Sequence, residues 1–184
     1  MDFNEHFELI GKHAYLSASK YHWLNYSDGK LEESYNSFLA IEMGTKLHEF
    51  AEQAIRLGIK LPRNKKTLNM YVNDAIGFRM TPEQPLYFSE NCFGTADAIA
   101  FSKNLLRIHD LKTGVTPASM SQLKIYAALF CLEYSQDPSN ISIVTRIYQS
   151  NEIIEEEPEA VEIREVMNKI IHFDKLIEEI KAGE

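Results

Sequence analysis

Residues 86–114 read Leu86-Tyr87-Phe88-Ser89-Glu90-Asn91-Cys92-Phe93-Gly94-Thr95-Ala96-Asp97-Ala98-Ile99-Ala100-Phe101-Ser102-Lys103-Asn104-Leu105-Leu106-Arg107-Ile108-His109-Asp110-Leu111-Lys112-Thr113-Gly114. Three apolar runs predict three short strands, Leu86–Phe88, Phe93–Phe101 and Leu105–Lys112, with Ser102-Lys103-Asn104 as a hairpin connection. Side chains alternate along a strand, so Asp110 and Lys112 share one face while Leu111 and His109 point to the other. Asp97 precedes the apolar run Ala98-Ile99-Ala100-Phe101. A carboxylate there is costly to bury alone and needs a cation, a hydrogen-bond network or solvent at the strand end. Its plain reading is a turn aspartate that caps neighbouring backbone. Asp110 and Lys112 have a plain reading too, a same-face salt bridge worth little at a surface. Their functional reading is a metal-binding carboxylate beside a lysine that stabilises charge on a phosphate under attack.

Working outward, residues 1–58 read as a helical N-terminal part. Ser17 or Ser19 suits the cap of a short helix through Trp23. A longer helix is predicted over Glu42–Leu57, with Leu47, Phe50, Ala51, Ala54 and Ile55 facing a core and Gly58 ending it. A helix near Leu68–Gly77 follows, and Pro82 and Pro85 punctuate the chain. After the three strands, Pro117 opens a helix over Ala118–Tyr134 with a stripe of Leu123, Tyr126, Ala127, Phe130 and Cys131. Ile141, Ile143, Thr145 and Ile147 alternate as a fourth strand. A terminal helix spans about 158–181, with Pro158 in its first turn and Glu157 and Glu159 at its positive end. The expected fold is therefore α/β, a central mixed four-stranded sheet (sheet core 86–150) flanked by helices, in one domain over 1–184.

The bulk properties narrow the function. The chain has 184 residues, 45% hydrophobic and 25% charged, enough for one domain with a substantial core. No apolar run is long enough to cross a bilayer, and the acidic start Met1-Asp2-Phe3-Asn4-Glu5 does not read as a signal peptide, so a cytoplasmic protein without a membrane partner is expected. Cys92 and Cys131 fit neither a redox pair nor a metal spacing and read as reduced, buried thiols. The net charge of −8 argues against a broad nucleic-acid face. Residues 151–165 carry most of it, seven Glu against one Arg. A basic run, Lys60, Arg63, Lys65 and Lys66, reads as a solvated loop or as a phosphate-tracking one.

Further candidates lie on the helices. His48 and Glu52 are one turn apart and share a face; the text His48-Glu49-Phe50-Ala51-Glu52 lacks the second histidine of a zinc-protease motif. Gln122 and Tyr126 are likewise four apart, and each can hydrogen-bond a phosphate or a catalytic side chain. Judged alone, His48 and Tyr126 also fit ordinary packing.

In order, Gly44-Thr45-x-x-His48-x-x-x-Glu52, Gly94-Thr95-Ala96-Asp97, Asp110-Leu111-Lys112-Thr113-Gly114 and Gln122-x-x-x-Tyr126 resemble the RecB-like branch of the PD-(D/E)-x-K nuclease superfamily. Leu16-Ser17-Ala18-Ser19 with Trp23-Leu24-Asn25 looks like the start of phage-borne members. The resemblance covers about Leu16 to Tyr134 and implies a restriction-endonuclease-like core. It implies a metal-dependent DNA nuclease, an exonuclease by preference, working in DNA recombination or processing. His48, Asp97, Asp110 and the Leu111 backbone carbonyl would bind Mg²⁺ or Mn²⁺, and Lys112 would be the catalytic lysine. Gln122 and Tyr126 would lie near the DNA, and Glu52 would support His48. Many relatives hold an iron–sulfur cluster with four cysteines; with two, elsewhere, no cluster is expected. DNA is the implied partner. A homo-oligomer would give a small acidic subunit processivity, and strand separation would need a recombination partner such as an annealing protein or a helicase. The competing reading is a catalytically weak DNA-end or partner-binding module on the same fold.

Overall fold

The computed structural model describes residues 4–114 and 116–183. The chain forms two compact units, Met1–Met43 and Gly44–Glu184. In the first, 3-10 turns at Phe7–Leu9 and Ala18–Asn25 precede helix α1 (Asp28–Leu57), which runs on into the second unit. The Ser17 hydroxyl meets Ser19 Oγ at 2.8 Å and caps no backbone N–H, so the expected side-chain cap is not formed. The Trp23 indole N–H donates to the Ser17 carbonyl (2.9 Å), and the Tyr15 ring packs on Tyr35 and Phe38. Helix α1 starts at Asp28, well before the expected Glu42. Leu31, Tyr35 and Phe38 already recur at helical spacing there, under the camouflage of Gly29, Ser34, Asn36 and Ser37.

The second unit is built on five strands, not four: β1 (Thr81–Ser89), β2 (Cys92–Ser102), β3 (Leu105–Leu111), β4 (Ser142–Gln149) and β5 (Glu152–Glu156), in that spatial order. Only β3 and β4 run parallel, and helix α3 (Ser121–Glu133) makes the crossover between them. Two-residue turns close two hairpins. Lys103 and Asn104 (φ 52° and 58°) join β2 to β3, and Ser150 and Asn151 (φ 51° and 64°) join β4 to β5. Positive φ at both central residues matches the twist of the flanking strands.

Strand β5 lies in the acidic segment, where no strand was expected. Glutamate is a poor strand former, but Glu155 pairs with Arg146 and Glu156 with Lys124 (2.6 Å). An edge strand bristling with charge also resists pairing with another chain. The sheet therefore spans 81–156, wider than the expected 86–150. β1 is the other edge and accommodates Pro82 and Pro85. The last helix, α4 (Ala160–Ala182), begins after Pro158. Glu159 is its N-cap, in a reciprocal capping box with Glu162. Pro117 likewise stands outside α3, which starts at Ser121.

The sheet is covered on both faces. Leu86, Leu106, Ile108 and Ile147 pack with Leu123, Ala127 and Leu129 of α3 and Ile163 of α4. On the other face Ala98, Leu111 and Tyr148 pack with Ala51, Ala54 and Ile55 of α1 and Tyr71, Val72 and Ala75 of α2 (Thr67–Gly77). Phe50, expected in the core, is exposed. Helix α1 ends as expected: Gly58 has φ 67°, and the Ile59 and Gly58 N–H groups donate to the Ala54 and Ile55 carbonyls. Cys131 is buried, but Cys92 is only half-buried, so one of the two expected buried thiols is partly open. Among the described residues no helix is long and apolar enough to cross a membrane.

Candidate metal centre

Three adjacent strands bring three acids side by side. The register places Pro82 opposite Ala98 and Gln84 opposite Ala96, so Glu83 stands beside Asp97. One step beyond Ala98 and His109, Asp97 stands beside Asp110 on the other side. Asp97 Oδ2 accepts a hydrogen bond from the Leu111 N–H (2.8 Å), which fixes its carboxylate over the end of β3. The plain reading of Asp97 as a backbone cap is thus correct in part, and it does not exhaust the residue. His48, from α1, brings Nδ1 to 3.5 Å from Asp97 Oδ2 and 4.0 Å from Glu83 Oε1. One ligand atom from each of His48, Glu83 and Asp97 lies within 4.8 Å of the other two.

Two glycines of the quoted motifs explain how the elements approach so closely. A Cβ on Gly44 would sit 2.8 Å from Thr113 Oγ1, so only glycine lets α1 close on the segment after β3. A Cβ on Gly94 would sit 3.0 Å from the Tyr126 ring, which fills that space. Gln149 holds the connection from β3 to α3. Its Nε2 donates to the Gly114 and Thr116 carbonyls, and its Oε1 accepts from the Ala118 N–H.

Asp110 and Lys112 do form the same-face pair. Lys112 Nζ lies 3.1 Å from Asp110 Oδ1 and 3.0 Å from Oδ2, and it donates to Gln122 Oε1 (2.8 Å). Gln122 Nε2 in turn donates to the Tyr126 hydroxyl (3.0 Å). This pair is no surface salt bridge, because Asp110 is only 1% exposed and its buried Oδ2, though close to the ammonium, makes no well-directed hydrogen bond. Beside Lys112 opens a cleft of about 290 Å³ lined by Leu47, Thr67, Leu68, Thr113, Gly114 and Ser150. His109 points away, as the alternation requires, and is buried against Tyr148 (Nδ1 to Oη, 3.2 Å).

One expectation changes. Glu52 makes no ion pair with His48; it accepts from Arg56 Nε (2.8 Å), whose Nη2 donates to the Pro82 carbonyl (3.3 Å). Glu52 thereby braces the residue before Glu83. Leu111 is tied to the site through its N–H. Glu83 itself escaped sequence reading. It lies in Pro82-Glu83-Gln84-Pro85, which reads as punctuation. Its φ of 48° is a strained backbone state for a residue other than glycine. An acid between two prolines in an otherwise extended run is the signal that could have found it.

The electrostatics are those of crowded carboxylates. Burial, then the charge of Asp110, push the Asp97 carboxyl up to about 6, against the opposing pull of His48 and the Leu111 N–H. Burial also raises the Glu83 carboxyl, with His48 pulling it back. A divalent cation would relieve this repulsion, and hard oxygens with one imidazole suit Mg²⁺ or Mn²⁺. The residues present therefore fit such an ion. No protein-family model matches the chain, and neither do curated proteins or solved structures.

Proposed function

We propose that the chain is a divalent-metal-dependent DNA nuclease of the RecB-like kind, with exonuclease action on DNA ends. The observation that carries this reading is the joining of separate motifs into one set of contacts. His48 meets Asp97, Asp97 stands beside Asp110, Asp110 pairs with Lys112, and Lys112 reaches Tyr126 through Gln122. A salt bridge alone would not require the last two. The mixed sheet with its β3–α3–β4 parallel step supports a restriction-endonuclease-like core.

His48, Asp97 and Asp110 would hold Mg²⁺ or Mn²⁺, which when bound supplies Lewis-acid charge next to the phosphorus. The Lys112 ammonium, held beside Asp110 and Gln122, would steady the attacking water or the charge that builds on the phosphoryl oxygens. Gln122 orients that ammonium by accepting one of its protons, and Tyr126 holds the far end of Gln122. The protein is acidic, which suits contact with a few phosphates over contact along a wide face.

The assay is end-labelled DNA incubated with Mg²⁺ or Mn²⁺, with and without chelator, for wild type, Lys112→Ala and Asp110→Ala. Cleavage is expected to vanish with chelator and to fall at least ~10²-fold in each variant. Retention of full cleavage in both variants overturns the assignment.

A further inference from the structure

We infer that Glu83 is a ligand of the same divalent cation, giving this chain a binding set of His48, Glu83 and Asp97 with Asp110 engaged by Lys112. The inference deepens the nuclease reading and rests on it for the class of ion. No sequence motif quoted above includes Glu83.

Convergence comes first. Glu83, His48 and Asp97 arrive from β1, α1 and β2, and one ligand atom from each falls within 4.8 Å of the others. That spacing lets a single ion touch all three after small side-chain rotations. Asp110 is differently placed. Both its oxygens lie about 3 Å from the Lys112 ammonium, so in this arrangement its charge is already countered. Glu83 has no such partner: its one ion-pair contact among the described residues is His48 Nδ1 at 4.0 Å, beyond hydrogen-bond reach.

Charge counting points the same way. The formal charges of Glu83, Asp97 and Asp110 against Lys112 sum to −2, the match of a divalent ion. Without Glu83 the site would fall one charge short. Two carboxylates with one imidazole also favour Mn²⁺ over Mg²⁺, since imidazole binds transition ions better than the harder magnesium ion.

The experiment is calorimetric titration of MnCl₂ into the full chain as wild type, Glu83→Gln and, as a control for loss of a nearby exposed carboxylate, Glu49→Gln. Glu83→Gln is expected to weaken Mn²⁺ binding tenfold or more, with Glu49→Gln within threefold of wild type. Equal affinity in Glu83→Gln and wild type overturns the inference. Anomalous diffraction from a Mn²⁺-soaked wild-type crystal gives an answer that does not depend on the variant folding. A peak at coordination distance from the Glu83 carboxylate supports the inference, and a peak out of its reach overturns it. The two readings fail separately. Lost Mn²⁺ binding in Glu83→Gln with full cleavage by both Lys112→Ala and Asp110→Ala sinks the nuclease assignment and spares the ligand; the reverse pattern spares the nuclease and sinks the ligand.

Discussion

Asp97 lies between Glu83 and Asp110 across three strands, and each neighbour raises the cost of its negative charge. Its folded-state pKa, about 6, is above that of a free aspartate. The resulting contribution to stability is present below the unfolded pKa and is lost as pH rises through about 6, where the buried acid ionises. Metal-free protein should therefore lose on the order of 2 kcal/mol between pH 4 and 7 on this account. Asp97→Asn should abolish that part of the slope and raise the melting temperature at pH 7, while weakening Mn²⁺ binding. Chemical denaturation at several pH values checks the first point and calorimetry the second. Gln122 has a subtler task, because it touches Lys112 and no acid. Gln122→Ala leaves the ammonium its Asp110 partner but frees its direction. The expected result is kcat down roughly tenfold with KM nearly unchanged, the mark of an interaction that matters in the transition state. A rise in KM alone would argue that Gln122 only binds DNA.

At the scale of elements, the site depends on how closely α1 approaches the end of β3. Gly44 makes that contact, with Thr113 Oγ1 only 2.8 Å from where its Cβ would be. Gly44→Ala brings two opposed effects. Helix propensity favours alanine by about 1 kcal/mol, whereas overpacking costs about 1–3 kcal/mol. The clash is with an atom one bond from the Thr113 Cβ, so relief needs a χ1 change that gives up this close fit, and overpacking should win. The variant is expected to be less stable and to bind Mn²⁺ more weakly, since His48 rides on the same helix one turn on. Thr113→Ala removes the obstructing hydroxyl, and the double variant should recover most of the loss. A double-mutant cycle in denaturant measures the coupling, and additive effects would show that the two residues do not meet. The edge strand β5 shows the same principle in reverse. Its poor intrinsic propensity is offset by Arg146, Lys124 and a hairpin turn of suitable twist.

Over the whole molecule, the two faces of the sheet respond to pH with opposite signs. His109 sits under α2 beside Tyr148, with Phe78 edge-on, and its Nε2 is buried without a partner. Burial, then the charges of Arg146 and Arg107, push its pKa down to about 3. Because the folded value lies below the unfolded one, its contribution is present above pH about 6.5 and is lost as pH falls toward about 3. Over pH 4 to 6 the two slopes oppose each other and largely cancel, so the metal-free wild type should show little pH dependence from this pair. His109→Gln should unmask the Asp97 slope, a loss of stability as pH rises from 4 to 7. Melting curves between pH 4 and 8 test this, and parallel profiles in variant and wild type would remove His109 from the account. Saturating Mn²⁺ should lift stability most at pH 7, where Asp97 is ionised and most in need of a counter-charge.

Local chemistry is what the sequence settled unaided. Alternation put Asp110 with Lys112 and turned His109 away, helical spacing paired Gln122 with Tyr126, and Gly58 closed α1, because each depends on neighbours within a few residues. Strands β2 to β4 and helices α2 to α4 were legible to within a few residues for the same reason, whereas only the second half of β1 was, because Pro82 and Pro85 mask its start. Tertiary structure decided the rest. It set Glu83 beside Asp97 through strand register, and made a strand of an acidic run by offering it Arg146 and Lys124. A carboxylate alone does not record which cation will stand opposite it, and most of these partners come from other elements of the fold.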